Sequence, residues 1–123
     1  MSRFKLLVLT NAINDRDDEF NNWYNNQHIP DALDVPGYAA AQRFALAGAQ
    51  MPGAAASRWR YLAIYDIASN DLKATMTESM SRAGTERMPQ SDAADHSSSA
   101  IFAFTPIGPR ITAKEVRAQR RGR

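Results

Sequence analysis

His28 is the side chain in this sequence best equipped for chemistry near neutral pH, because imidazole is the group whose ordinary titration falls there. Phe20, Trp23 and Tyr24 precede it, and Asp31 and Asp34 follow it. An imidazole beside carboxylates in a partly apolar pocket can move protons as a general acid or base, and a phenol can hold a substrate oxygen. Asp31 or Asp34 would orient the ring. A helix C-terminus and those two carboxylates both favour imidazolium. The same spacing also suits a histidine that caps a helix by binding its last carbonyls. Both readings stay open from the residues alone.

Other groups have similar double readings. Phe20 and Trp23 can wall a pocket or pack a helix onto a sheet. Trp59, Tyr61 and Tyr65 need partners for their polar tips if buried, which suits either a wet cavity or an interface. Asn11, at the end of the first predicted strand, could face a cavity, and Phe102 belongs to the last strand. His96 lies in a Ser-rich loop and is expected to face solvent. No metal is expected: His28 and His96 are the only histidines and there is no cysteine, so a chelating set is poor. The sequence has neither a Gly-rich phosphate loop nor a nucleophile elbow.

The elements that position these groups follow from periodicity. Residues 3–10 alternate as a strand, with Phe4, Leu6 and Val8 on one face and Leu7 and Leu9 on the other. Acids at 15, 17, 18 and 19 mark a helix start, and the helix is expected to run from Asp17 to about His28 and to stop near Ile29 because of Pro30. Val35-Pro36-Gly37 signals a turn. Strands are predicted over 38–47 and 59–68, separated by an Ala/Gly/Pro-rich loop at 48–57. A second helix begins at Ser69 or Asn70 and ends at Gly84. A polar loop at 85–98 leads to a strand at 99–107.

The order is βαββαβ, a ferredoxin-like α+β layout with a four-stranded antiparallel sheet and two helices on one face. Strands one, three and four are apolar on both faces, whereas a half-solvated sheet alternates apolar and polar. A second copy packed sheet to sheet covers that surface most simply, so a homodimer is expected.

The chain has 123 residues, 44% of them hydrophobic and 23% charged, which is one ordinary globular domain. The apolar run at 6–9 is too short for a signal peptide core or a membrane span, so a cytoplasmic protein without a membrane partner is expected. The net charge is +2, but it is unevenly placed. Six basic residues against Glu115 give 110–123 a net +5, leaving nine basic and twelve acidic residues, a net −3, in 1–109. We read 1–109 as a single domain and 110–123 as a basic disordered tail. Nucleic-acid association through the tail is the minor alternative.

The stretch Glu19-Phe20-Asn21-Asn22-Trp23-Tyr24-Asn25-Asn26-Gln27-His28-Ile29-Pro30-Asp31, followed by Val35-Pro36-Gly37-Tyr38 and Gln42-Arg43-Phe44, resembles the first helix and second strand of the dimeric α+β barrel proteins, EthD-like and related short members in particular. The resemblance covers residues 4–46, and the rest agrees in layout. It implies a homodimer that closes an α+β barrel, with a pocket in each subunit and the histidine matching His28 facing it. Relatives include cyclases, isomerases, lyases, cofactor-free oxygenases of aromatic substrates and haem-degrading proteins. This chain departs from the haem-degrading members in its lack of an axial-ligand arrangement, so no cofactor is expected. The reading is a cofactor-independent enzyme of lyase, cyclase or isomerase type acting on an apolar oxygenated or aromatic metabolite. His28, Asp31 and Tyr24 would be catalytic, and Asn11, Phe20, Trp23, Asp34, Tyr61, Tyr65 and Phe102 would bind substrate. The alternatives are a non-catalytic binding or assembly module and a cofactor-free oxygenase.

Overall fold

The computed structural model describes residues 1–122. Strands β1 (Ser2–Thr10), β2 (Tyr38–Ala45), β3 (Tyr61–Ser69) and β4 (Ala100–Phe104) form one antiparallel sheet in the order β2-β3-β1-β4. That is the ferredoxin-like order expected from the sequence. Register fixes the faces. Leu6 lies opposite Tyr65 and Ala103, and Val8 opposite Ala63 and Ile101, which puts these residues under the helices. Leu7 lies opposite Ile64 and Phe102, and Lys5 opposite Phe104, on the other face.

The core sits between the first face and the helices. Phe20, Val35 and Ile67 are its largest fully enclosed side chains. Enclosing a phenylalanine of this kind is worth roughly 1.5–3 kcal/mol. Gly37 closes the turn into β2 with φ of +99°, and a Cβ there would lie 3.1 Å from Thr75 Cγ2 and 3.2 Å from the Ala68 carbonyl. Conformation and space both demand glycine. The register shifts between Tyr38 and Ala40, so β2 enters the sheet through a bulge.

The first helix does not stop before Pro30. It runs as α1 (Asp17–Trp23), a π-helical turn (Tyr24–His28) and α2 (Ile29–Leu33). Proline lacks an N–H and its ring clashes with the carbonyl four residues back in a regular helix. Here the Ile29 N–H reaches back five residues to the Tyr24 carbonyl. The widened turn leaves Pro30 at the start of a fresh helical segment, where its missing donor is tolerated.

The second helix, α3 (Leu72–Arg82), is capped by Asp71, whose side chain accepts from the Ala74 N–H. The 110–123 tail, expected without structure, contains helix α4 (Ala113–Arg121). Thr112 and Glu115 form a reciprocal capping box, which satisfies orphan donors at the helix start. No residue of α4 is buried.

Candidate functional site

A cavity of about 170 Å³ opens between the helix-facing side of β1 and β3, the π turn and the loop that leads to β4. The π turn decides what enters it. In this turn His28 stacks on Trp23, with ring centres 4.8 Å apart and planes at 27°, and meets Tyr24 edge-on at 4.7 Å and 80°. Both aromatic rings and the imidazole line the cavity. The helix continues past His28, so the imidazole caps no helix end.

Burial drives the His28 pKa down from 6.5 to about 4. Asp31 opposes the change, while Arg43 and His96 add to it. The sequence-based expectation of an imidazolium is therefore reversed: removing water from the ring outweighs the neighbouring carboxylate. His28 is neutral at pH 7. Its Nδ1 is buried and has no hydrogen-bond partner among the described residues.

The other expected site residues divide into two groups. Asn11, Phe20, Trp23, Tyr24 and Tyr65 line the same cavity as His28. Tyr65 donates its hydroxyl to the Tyr24 oxygen at 3.3 Å, and burial raises both phenol pKa values. Asn11 ties the rim together: its amide donates to the Arg58 carbonyl at 2.9 Å and accepts from the Arg60 N–H at 2.9 Å.

Asp31, Asp34, Tyr61 and Phe102 do not line the cavity. Asp31 accepts from Gln27 Nε2 at 2.8 Å, one helical turn earlier, and acts on His28 only through its charge. Asp34 is exposed and faces Arg82 and Arg87. The Tyr61 hydroxyl donates to Asp17 Oδ2 at 2.6 Å, which also pairs with Arg60. Phe102 lies on the opposite face of the sheet, beside Leu7.

Two features escaped the residue-by-residue reading. Arg43 reaches from β2 under the first helix, with its guanidinium 4.2 Å from the Tyr24 ring centre and donating to Asn21 and Asn25 Oδ1 at 2.9 and 3.0 Å. Strand alternation alone gave no sign that a cation would pack among aromatic rings. The 85–98 loop is a wall of the cavity, with Met88, Gln90, Ala94 and Asp95 contributing. It is fastened by Trp23 Nε1 to the Pro89 carbonyl at 3.2 Å, Trp59 Nε1 to the Ser98 carbonyl at 2.6 Å and Arg16 to Asp92 at 2.7 Å. His96 is exposed, as expected, yet stands on the cavity's rim. Among the described residues no cluster could hold a metal ion and no helix is long and apolar enough to cross a membrane.

No protein-family model matches the chain, and no curated protein sequence does. Solved structures do. A candidate monooxygenase from Shewanella loihica PV-4 overlays with a TM-score of 0.57 at 13% identity, covering 89% of this chain and 99% of its own. A mutant of MhuD with two manganese protoporphyrin IX molecules per active site gives 0.59 at 11% identity, covering 89% and 99%. HapK from Hahella chejuensis gives 0.50 at 15% identity, covering 92% and 99%. These neighbours share the ferredoxin-like α+β fold of this chain. The resemblance drawn from the 19–44 motif therefore holds at the level of the fold.

Proposed function

We propose that this chain is a small-molecule enzyme that moves a proton at a carbon next to a carbonyl, as a lyase, cyclase or isomerase does, without a cofactor. The observation that carries the reading is the neutral imidazole of His28 in the wall of an otherwise largely apolar cavity. A group that is desolvated and adjacent to a ligand-sized space is suitably placed for acid–base work. His28 serves as the acid or base, and the Tyr24–Tyr65 pair holds a substrate oxygen. Asn11, Phe20 and Trp23 shape the space, and Asp31 tunes the ring from outside. The cavity is smaller than the roughly 300–1,000 Å³ usual for drug-sized ligands. This favours a metabolite of about one ring and disfavours a porphyrin.

The reading includes a homodimer. Leu7, Leu9, Leu62 and Ile64 lie on the sheet face away from the helices, with Phe44, Phe102 and Phe104 at 41–53% exposure. Lys5 and Asp66 pair at one end of this face, but the apolar patch beside them is of the kind normally covered, and a second copy is its simplest cover.

Thermal-shift screening of the wild type and His28→Ala against small aromatic, quinonoid and β-keto compounds tests the function. A compound that stabilises the wild type, is weakened by the substitution and is then turned over supports it. Binding without turnover of any such compound would instead make the chain a binding module.

A further inference from the structure

We propose that His28 is fixed as the Nε2–H tautomer and that it joins Tyr24 in presenting two hydrogen-bond donors to one oxygen of an uncharged, ring-sized carbonyl compound. This rests on the preceding reading of the cavity as a ligand site and narrows the ligand's chemical class. The tautomer follows from burial. Nδ1 is enclosed and finds no acceptor among the described residues. A proton placed there would be an orphaned donor, whereas a bare lone pair in the same place is tolerated more readily. With Nδ1 bare, the single proton of the neutral ring sits on Nε2. Trp23 on the face of the ring and Tyr24 at its edge hold that orientation.

The second donor comes from counting protons. Tyr24 is 3% exposed and Tyr65 is 2% exposed, and one hydrogen bond joins their hydroxyls. Tyr65 donates in it, so the Tyr24 O–H has no acceptor among the described residues. A buried hydroxyl in that condition calls for an oxygen to bind. The carbonyl oxygen, with two lone pairs, accepts from two donors at once.

The charge around the cavity selects against anions. Among the described residues no lysine or arginine lines it. Arg43 packs on the Tyr24 ring and is not part of the lining. The carboxylate at the wall is Asp95, held ionised by the Ser97 hydroxyl at 2.6 Å. A ligand carboxylate would meet this charge with no lysine or arginine among the described residues in the lining to offset it. A neutral carbonyl on an apolar ring meets donors at one end and Leu6, Val8 and Phe20 elsewhere.

The test uses the full chain labelled with ¹⁵N in its histidines, together with three probes of similar size: acetophenone, toluene and benzoate. Long-range ¹H–¹⁵N spectra at pH 7 are expected to show the Nε2–H pattern for the signal that disappears in His28→Phe. Acetophenone is expected to bind at least tenfold more tightly than toluene or benzoate and to shift the His28 Nε2 resonance. Tyr24→Phe, which removes one oxygen and keeps the packed ring, is expected to erase most of that margin. A Nδ1–H or doubly protonated ring at pH 7 overturns the proposal. So does acetophenone that fails to bind, or binds no better than toluene or benzoate. Carbonyl probes that bind in this manner but are never turned over would sink the catalytic reading and leave this ligand class standing.

Discussion

The imidazole of His28 stacks on the indole of Trp23, five residues earlier in the chain. In a regular α-helix two residues five apart point about 140° away from each other. The contact exists because the Tyr24–His28 segment is a π turn, and that turn also lets the chain continue through Pro30. The device that spares the helix from its proline thus places the histidine against the aromatic wall.

Removing the indole should readmit water to His28. Trp23→Leu is expected to raise the His28 pKa from about 4 towards 6.5, since burial is the largest cause of the depression. An NMR titration of the His28 ring in both proteins measures this. An unchanged pKa would mean that another wall of the cavity keeps the ring dry.

The depressed pKa also sets a pH dependence of stability. Below 6.5 the unfolded chain protonates this histidine while the folded chain does so only near 4, so stability falls as pH drops from about 6.5 to about 4. The full effect is on the order of 3 kcal/mol. Urea unfolding at pH 7 and pH 4.5 should show a smaller loss for His28→Gln than for wild type. Equal losses in the two proteins would remove His28 as the source.

Turnover should depend on His28 as a neutral ring. His28→Ala is expected to lower kcat by at least about tenfold while the protein stays folded. In wild type the limb of the pH–rate profile assigned to His28 should lie near pH 4, where the ring gains its charge, and not near 6.5. Full activity in the variant would take His28 out of the mechanism.

Arg43 should support the site through the Tyr24 ring. Its guanidinium lies 4.2 Å from that ring centre and forks to two asparagines, a geometry that lysine cannot reproduce. Arg43→Lys is expected to cost roughly 1–2 kcal/mol in urea unfolding. A change within about 0.5 kcal/mol would show the contact to be incidental.

A charge on the open sheet face should separate two copies. Phe102 is 52% exposed there, and Phe102→Asp is expected to convert a dimer to a monomer in light scattering at micromolar concentration. A monomeric wild type would remove the homodimer from the reading.

Much of this architecture was legible in the chain. Two-residue alternation in 3–10 and 59–68, the acidic start at Asp17 and the turn at Val35-Pro36-Gly37 specify the strands, the helix and the βαββαβ order. Such signals are local, because backbone geometry sets side-chain direction within a few residues. Cavity residues on strongly patterned elements (Trp23, Tyr24, His28, Tyr65) were legible for the same reason. The helix in the tail had its own local sign, Thr112 followed three residues later by Glu115, which a charge count passes over.

The rest needed the folded chain. Asp31 and Asp34 are adjacent to His28 in sequence, but helix rotation carries them to Gln27 and to Arg82 and Arg87. Phe102 alternates onto the face that β1 and β3 turn away from the helices. The loop carrying Asp95 and His96 reaches the cavity from more than sixty residues along the chain from His28. The sequence by itself determined the four strands, the two main helices and their order, though not the π turn or the helix in the tail. Only the tertiary structure decided that His28 is dry, neutral and unpartnered at Nδ1, because desolvation depends on everything packed around a group.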